Sequence, residues 1–150
     1  MSESSSHSGT TLIHRVVVTT ILLALGYPRF SAAGEYNPVL NIGDKAPAWK
    51  ELPGVDGKKH SLSDLKMRDV VVLAFICNSC PYAVDYENRL IAFAKKHSGK
   101  DSKVALVTVN VNKVEEDLPP KMKEKAEAKG FKFPYLFDET QKIANDYGAG

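Results

Sequence analysis

The chain has 150 residues, 43% hydrophobic and 25% charged, with 20 Lys and Arg against 18 Asp and Glu. That balance excludes wholesale disorder and fibrous architectures, and a net charge of +2 argues against a dedicated nucleic-acid binder, which carries a clustered basic face. The two cysteines are too few for a disulfide scaffold or an all-thiolate zinc site, so they act as one pair.

The start differs in character from the rest. Met1–Thr11 is polar and serine-rich, His14 and Arg15 follow, and Val16–Leu25 is apolar apart from two threonines. Gly26, Tyr27, Pro28 and Arg29 break the run, and Ser31-Ala32-Ala33 supplies small residues. This order of basic, apolar and small-residue segments predicts a secretory signal peptide over residues 1–33, cleaved after Ala33. Spanning a bilayer needs about 20 apolar residues, and Arg15 and Arg29 close this window too early, so no stable membrane insertion is expected after cleavage. The predicted domain is residues 34–150.

Within it, Leu52–Leu62 reads as a hairpin whose turn, Val55-Asp56-Gly57-Lys58, carries the Asp-Gly signal of a tight reversal. Ser61 or Ser63 is placed to cap a short helical turn through Asp64-Leu65-Lys66. Val70–Ile76 is apolar on both faces and too short for a helix, the pattern of a central strand covered on both sides. Cys77-Asn78-Ser79-Cys80-Pro81 follows at once, and Pro81 suits the first position of a helix. Tyr82, Tyr86, Leu90 and Phe93 recur at helical spacing, predicting a helix to about His97 with the two tyrosines packed on the sheet. Lys103–Val111 reads as a second buried strand. Pro119–Lys129 reads as a helix stopped by Gly130, its charged run Lys121–Lys129 a solvated face. Phe133–Phe137 reads as a short strand and Glu139–Tyr147 as a final helix. Strands alternating with helices predict an α/β fold with a mainly parallel sheet, where reactive groups collect at strand-to-helix junctions.

The cysteines occupy such a junction. A C-x-x-C at a helix start suits thiol–disulfide exchange: exposed N–H groups and the helix dipole favour the thiolate of Cys77, and Cys80 lies within reach to resolve a mixed disulfide. Two other uses of the pair are open, and a third is closed. A structural disulfide closes so small a ring that its entropic benefit is slight. Metal binding, copper or zinc, would recruit His60 or His97 beside the two thiolates. Haem attachment would need a histidine where Pro81 stands. Tyr82, Asp85 and Glu87 lie near enough in sequence to carry a proton but read as ordinary helix residues; His97 reads as a dipole partner at the helix end and His60 as an exposed hairpin residue.

Ile42-Gly43-Asp44-Lys45-Ala46-Pro47, the hairpin Asp56-Gly57-Lys58 with Ser61-Leu62-Ser63-Asp64-Leu65, the strand Val70–Phe75, the cysteine motif, and Phe133-Pro134-Tyr135-Leu136-Phe137-Asp138 with Ala144-Asn145-Asp146-Tyr147-Gly148 together resemble the redoxin branch of the thioredoxin superfamily. That branch includes the alkyl hydroperoxide reductase/thiol-specific antioxidant (AhpC/TSA) family and exported thiol–disulfide oxidoreductases. The resemblance runs from about Asn41 to Gly148. It implies a thioredoxin-like fold, Cys77 as nucleophile and Cys80 as resolving cysteine, no bound cofactor, and protein or small-molecule thiols and disulfides as partners with an external reductant. The sequence departs from the pattern in several places. Ile76 stands where thioredoxins carry Trp, Asn78-Ser79 replaces Gly-Pro, and Val70–Ile76 lacks the buried acid of the preceding strand. The peroxiredoxin signature is missing, Ala74 standing three residues before Cys77, which makes thiol peroxidase the secondary activity. Relative to the family, a cis-proline loop, two strands and a last helix would follow Gly148, so the chain is expected to be a fragment with a sheet edge beside the central strand left open.

Overall fold

The computed structural model describes residues 37–149; the predicted signal peptide lies outside the described residues. The elements are β1 (Leu52–Pro53), β2 (Lys59–His60), β3 (Val70–Phe75), α1 (Pro81–His97), β4 (Val104–Asn110), α2 (Pro119–Lys129), β5 (Tyr135–Phe137) and α3 (Lys142–Tyr147), with single 3₁₀ turns at Leu62–Leu65 and Glu115–Asp117. Every strand and helix expected from the sequence among the described residues is present, with ends that coincide or shift by up to three residues.

β3, β4 and β5 form a parallel sheet in that order, Val70 opposite Val104 and Phe75 opposite Val109, then Thr108 opposite Tyr135 and Asn110 opposite Phe137. Parallel neighbours need crossovers, which α1 and α2 supply. β1 and β2 pair antiparallel around Gly57, whose φ of +77° suits a residue without a Cβ. Asp56 accepts the Lys58 N–H at 3.1 Å inside this turn. The hairpin stem then meets the sheet: Val55 N–H donates to the Tyr135 carbonyl at 3.0 Å, and Gly54 bridges Leu136. The outer edge of β5 is thereby occupied.

The position expected for Val70–Ile76 belongs instead to β4. β4 is buried along nearly its whole length, whereas β3 is half-buried, with Val70 51% exposed, and among the described residues pairs on one side only. An apolar run reports what covers the two faces of a strand; it carries no information about lateral neighbours. β4 alternates as a strand must. Val107 and Val109 pack with Trp49, Leu136 and Ile143 on the α3 side. Leu106 joins Ala94 and Phe133 on the α1 side. Met122 and Ala126 of α2 close over Tyr135 and Phe137.

α1 begins with Cys80 as N-cap and Pro81 in its first turn, as expected. Its inward stripe is Glu87, Leu90, Ile91 and Ala94. Leu90 and Phe93 pack inward as predicted, but Tyr82 and Tyr86 do not: they are 80% and 53% exposed. The helix is rotated so that Glu87 rather than the tyrosines meets α2, and Arg89 lies over the Tyr86 ring, 4.8 Å from its centroid. α2 stops where Gly130 adopts φ +67°. Its charged run is only partly a solvated face. Lys121–Glu124 and Lys123–Glu127 are exposed pairs, while Lys125 and Lys129 both turn to Glu87. The 3₁₀ turn after β2 is closed by Ser61 N–H donating to Asp64 at 2.8 Å. α3 starts later than expected because Asp138, buried, accepts the Thr140 and Ile143 N–H groups at 3.0 and 2.8 Å.

Candidate active site

β3 delivers the chain to the cysteine turn. Ile76 still pairs with β4 through its N–H and the Val109 carbonyl at 3.0 Å. Cys77, Asn78 and Ser79 then leave the sheet, and Cys80 opens α1, its carbonyl taking the Val84 N–H at 3.0 Å. Both cysteines are free thiols and partly exposed. Beside them is an open cleft of about 580 Å³ whose walls include Phe75, Ile76, Tyr82, Tyr86 and Val109.

The two residues between the cysteines are held from below. Asn78 has a partner for each of its polar groups. Its N–H donates to Asp117 Oδ1 at 2.5 Å and its carbonyl accepts Lys125 Nζ at 3.1 Å. Its side-chain amide donates to the Glu116 carbonyl at 2.8 Å, and its Oδ1 accepts the Tyr135 hydroxyl at 3.1 Å. Ser79 donates its N–H to Asp117 Oδ1 at 2.9 Å and its hydroxyl to Asp117 Oδ2 at 2.6 Å. Asp117 itself is fully buried. The 3₁₀ turn after β4 lifts it to this position, and the strand end secures it. Asn110 donates to the Asp117 carbonyl, and Asn112 Nδ2 donates to Asp117 Oδ2 at 2.8 Å. The Asn112 Oδ1 is engaged by the Lys113 N–H at 2.9 Å, which fixes the amide with its nitrogen toward Asp117. Every contact made by this carboxylate is with a donor.

A second buried carboxylate lies behind the first. Glu87, 3% exposed, pairs with Lys125 and, at 3.0 Å, with Lys129. Burial pushes its carboxyl up, but hydrogen bonds and charge from the two ammonium groups outweigh that and hold it below the usual glutamate value. Tyr135, buried under the turn, has its phenol pushed above the usual tyrosine value, first by burial and then by the negative charges of Asp117, Cys77 and Glu87.

Cys77 and Cys80 are brought together with one another, as the spacing requires. The histidines considered as co-ligands are not placed with them: His97 lies against Phe93 at the far end of α1, the rings tilted, and His60 is paired with Asp56 in the hairpin at 3.0 Å, half-buried rather than exposed. Among the described residues no group of three or more His, Cys, Asp or Glu is placed to hold a metal ion. Asp85 is exposed; Glu87, read as an ordinary helix residue, is the buried partner of two lysines. Asp117, Lys125, Tyr135 and Asn112 are not among the site residues expected from the sequence. The available signal was Asn110 and Asn112 alternating at the end of a buried strand, where amides are costly unless bonded.

A three-stranded parallel sheet with a hairpin on one edge and a dithiol turn at a strand-to-helix junction defines a thioredoxin-like protein. The model of the AhpC/TSA family matches residues 42–150, and the chain belongs to that family. The thiol-disulfide oxidoreductase ResA of Geobacillus thermodenitrificans is 29% identical over 144 residues, 93% of this chain and 76% of that protein. A Mycobacterium tuberculosis protein bearing a peroxiredoxin name is 32% identical over 73% of this chain and 65% of its own length. A solved conserved protein of Geobacillus kaustophilus is 35% identical with a TM-score of 0.64, covering 82% of this chain and 63% of that one. A thiol:disulfide interchange protein of Chlorobium tepidum, described as a thioredoxin family protein, shares the fold at 21% identity, with a TM-score of 0.56 over 67% of this chain and 63% of its own. The chain thus spans less than two thirds of several proteins it matches.

Proposed function

We propose that this protein is a thiol–disulfide oxidoreductase in which Cys77 is the nucleophile and Cys80 the resolving cysteine. The observation that carries the reading is the pair of free, partly exposed thiols flanking a pinned turn beside an open cleft. Membership of the AhpC/TSA family and likeness to a protein named as a thiol-disulfide oxidoreductase support it. The Cys77 thiolate attacks one sulfur of a substrate disulfide; a Cys77–substrate disulfide forms and the other substrate sulfur leaves as a thiolate. Cys80, deprotonated, then attacks Cys77 Sγ, the Cys77–Cys80 bond forms, and the second substrate sulfur leaves. Two electrons pass to the substrate, and an external dithiol returns them by the same steps in reverse. Run backwards, the sequence oxidises a substrate dithiol.

Protein or small-molecule thiols are the substrate class, and the turn's exchange takes place outside the cytoplasm, where the signal-like residues 1–33 would direct residues 34–150. Among the described residues no helix is long and apolar enough to cross a membrane. Peroxide reduction, suggested by the mycobacterial relative's name, is the lesser activity, because Ala74 offers no hydroxyl to the attacking thiolate. The test is equilibration in glutathione buffers of graded ratio followed by acid quench and thiol labelling. A two-thiol change with a single midpoint, abolished by either Cys77→Ser or Cys80→Ser, is expected. Thiols that stay reduced at every ratio would refute it.

A further inference from the structure

The inter-cysteine turn is hydrogen-bonded by one acidic and one basic side chain, Asp117 and Lys125. Asp117 accepts both amide hydrogens of the turn, from Asn78 at 2.5 Å and Ser79 at 2.9 Å, within two residues of Cys77. Lys125 donates to the Asn78 carbonyl at 3.1 Å. The groups packed about the turn are Cys80 at the start of α1, Glu87 further along it, Asp117 in the 3₁₀ turn, Lys125 and Lys129 on α2, and Tyr135 on β5. Glu87 is already matched to the two lysines. Tyr135 is a neutral phenol. Asp117 is balanced by donors alone, with no cation among its hydrogen-bond partners.

From this arrangement we infer that Asp117 is a positioning residue that sets the redox poise of the pair: it holds the Asn78–Ser79 turn and, as a buried anion beneath it, opposes the Cys77 thiolate, making the dithiol a stronger reductant. Lys125 acts in the opposite sense. The inference rests on the exchange reading for its consequence, since the reaction is reduction of the Cys77–Cys80 disulfide by two glutathione thiols, giving the dithiol and one glutathione disulfide. A like charge beside the thiolate destabilises the reduced side of that equilibrium and leaves the neutral disulfide unaffected.

The test is a charge-sign comparison. In a Cys80→Ser background, only Cys77 is left to alkylate, and its rate is followed with an uncharged reagent across pH. Asp117→Asn should move the midpoint to lower pH by roughly tenfold in proton concentration; Lys125→Gln should move it the other way. With both cysteines present, the Asp117→Asn pair should be reduced more readily by glutathione at pH values above the midpoint, by up to about tenfold, which is about 30 mV. Circular dichroism and urea unfolding establish that each variant is folded, and Asp117→Glu, which restores the charge, should return the midpoint toward the parent if a variant is loosened. Shifts of the same sign in the two variants, or none in either, would overturn the role assigned to Asp117. A parent chain whose Cys77 alkylates normally but never forms a disulfide with Cys80 would overturn the exchange reading, while the midpoints still decide the electrostatic one.

Discussion

Replacing Glu87 by Gln should loosen the junction of α1 and α2 and change how stability depends on pH. Glu87 is 3% exposed and joins Lys125 and Lys129 of the neighbouring helix. Removing one member of a buried ion pair costs about 3–5 kcal/mol when the partners stay buried. Here the lysine side chains are 19% and 43% exposed, so both ammonium groups can turn to water, and the amide keeps a hydrogen-bond acceptor. The expected loss is therefore smaller, about 1–3 kcal/mol at pH 7. A domain of this size should lose roughly 3–6 °C in Tm per kcal/mol. The pH dependence follows from the depressed carboxyl. Its contribution is fully present above the unfolded value near 4.5 and is lost as pH falls through the lower folded value. Urea unfolding of parent and variant at pH 7, 5, 4 and 3 measures this directly. The two stabilities should differ most at pH 7 and converge below pH 4.5. A variant as stable as the parent at pH 7, or a gap that persists unchanged into acid, would refute the reasoning.

Cys80→Ser should trap a mixed disulfide between Cys77 and glutathione or a disulfide-bearing peptide, visible by intact mass and released by dithiothreitol. Met122→Ala empties a fully buried position between α2 and β5 and should cost about 2–4 kcal/mol in urea unfolding. Tyr135→Phe removes the hydroxyl that reaches Asn78 and should cost about 1 kcal/mol. In the parent, one tyrosine should resist ionisation well past the ordinary pH 10 range in an ultraviolet difference titration, and this resistant phenol should vanish in Tyr135→Phe.

The elements were legible because their signals are local. Pro81 and Gly130 mark helix ends by backbone chemistry alone, and the apolar, β-branched runs of β3 and β4 mark them as strands. Lateral order in the sheet was not legible, since β3 and β4 read alike and only pairing distinguishes edge from centre. The thiols were legible from their spacing. Their support was not: Asp117 lies 40 positions beyond Cys77 and is joined to it only by the fold. Glu87 fell on the inward face of a helix whose tyrosines suggested a different rotation, and a carboxylate there makes sense only once Lys125 and Lys129 are seen opposite.

Asn78, whose polar groups all have partners within the protein, imposes a division of labour on recognition. A bound peptide finds no vacant amide hydrogen or carbonyl on Asn78 with which to extend a strand, so its grip falls to the other walls of the cleft, apolar and amide alike, and to the sulfur bond itself. The same saturation should be visible without any substrate. The Asn78 and Ser79 amide hydrogens, a few bonds from partly exposed sulfurs, should exchange with solvent at the slow rate of the sheet interior rather than the fast rate of a surface turn.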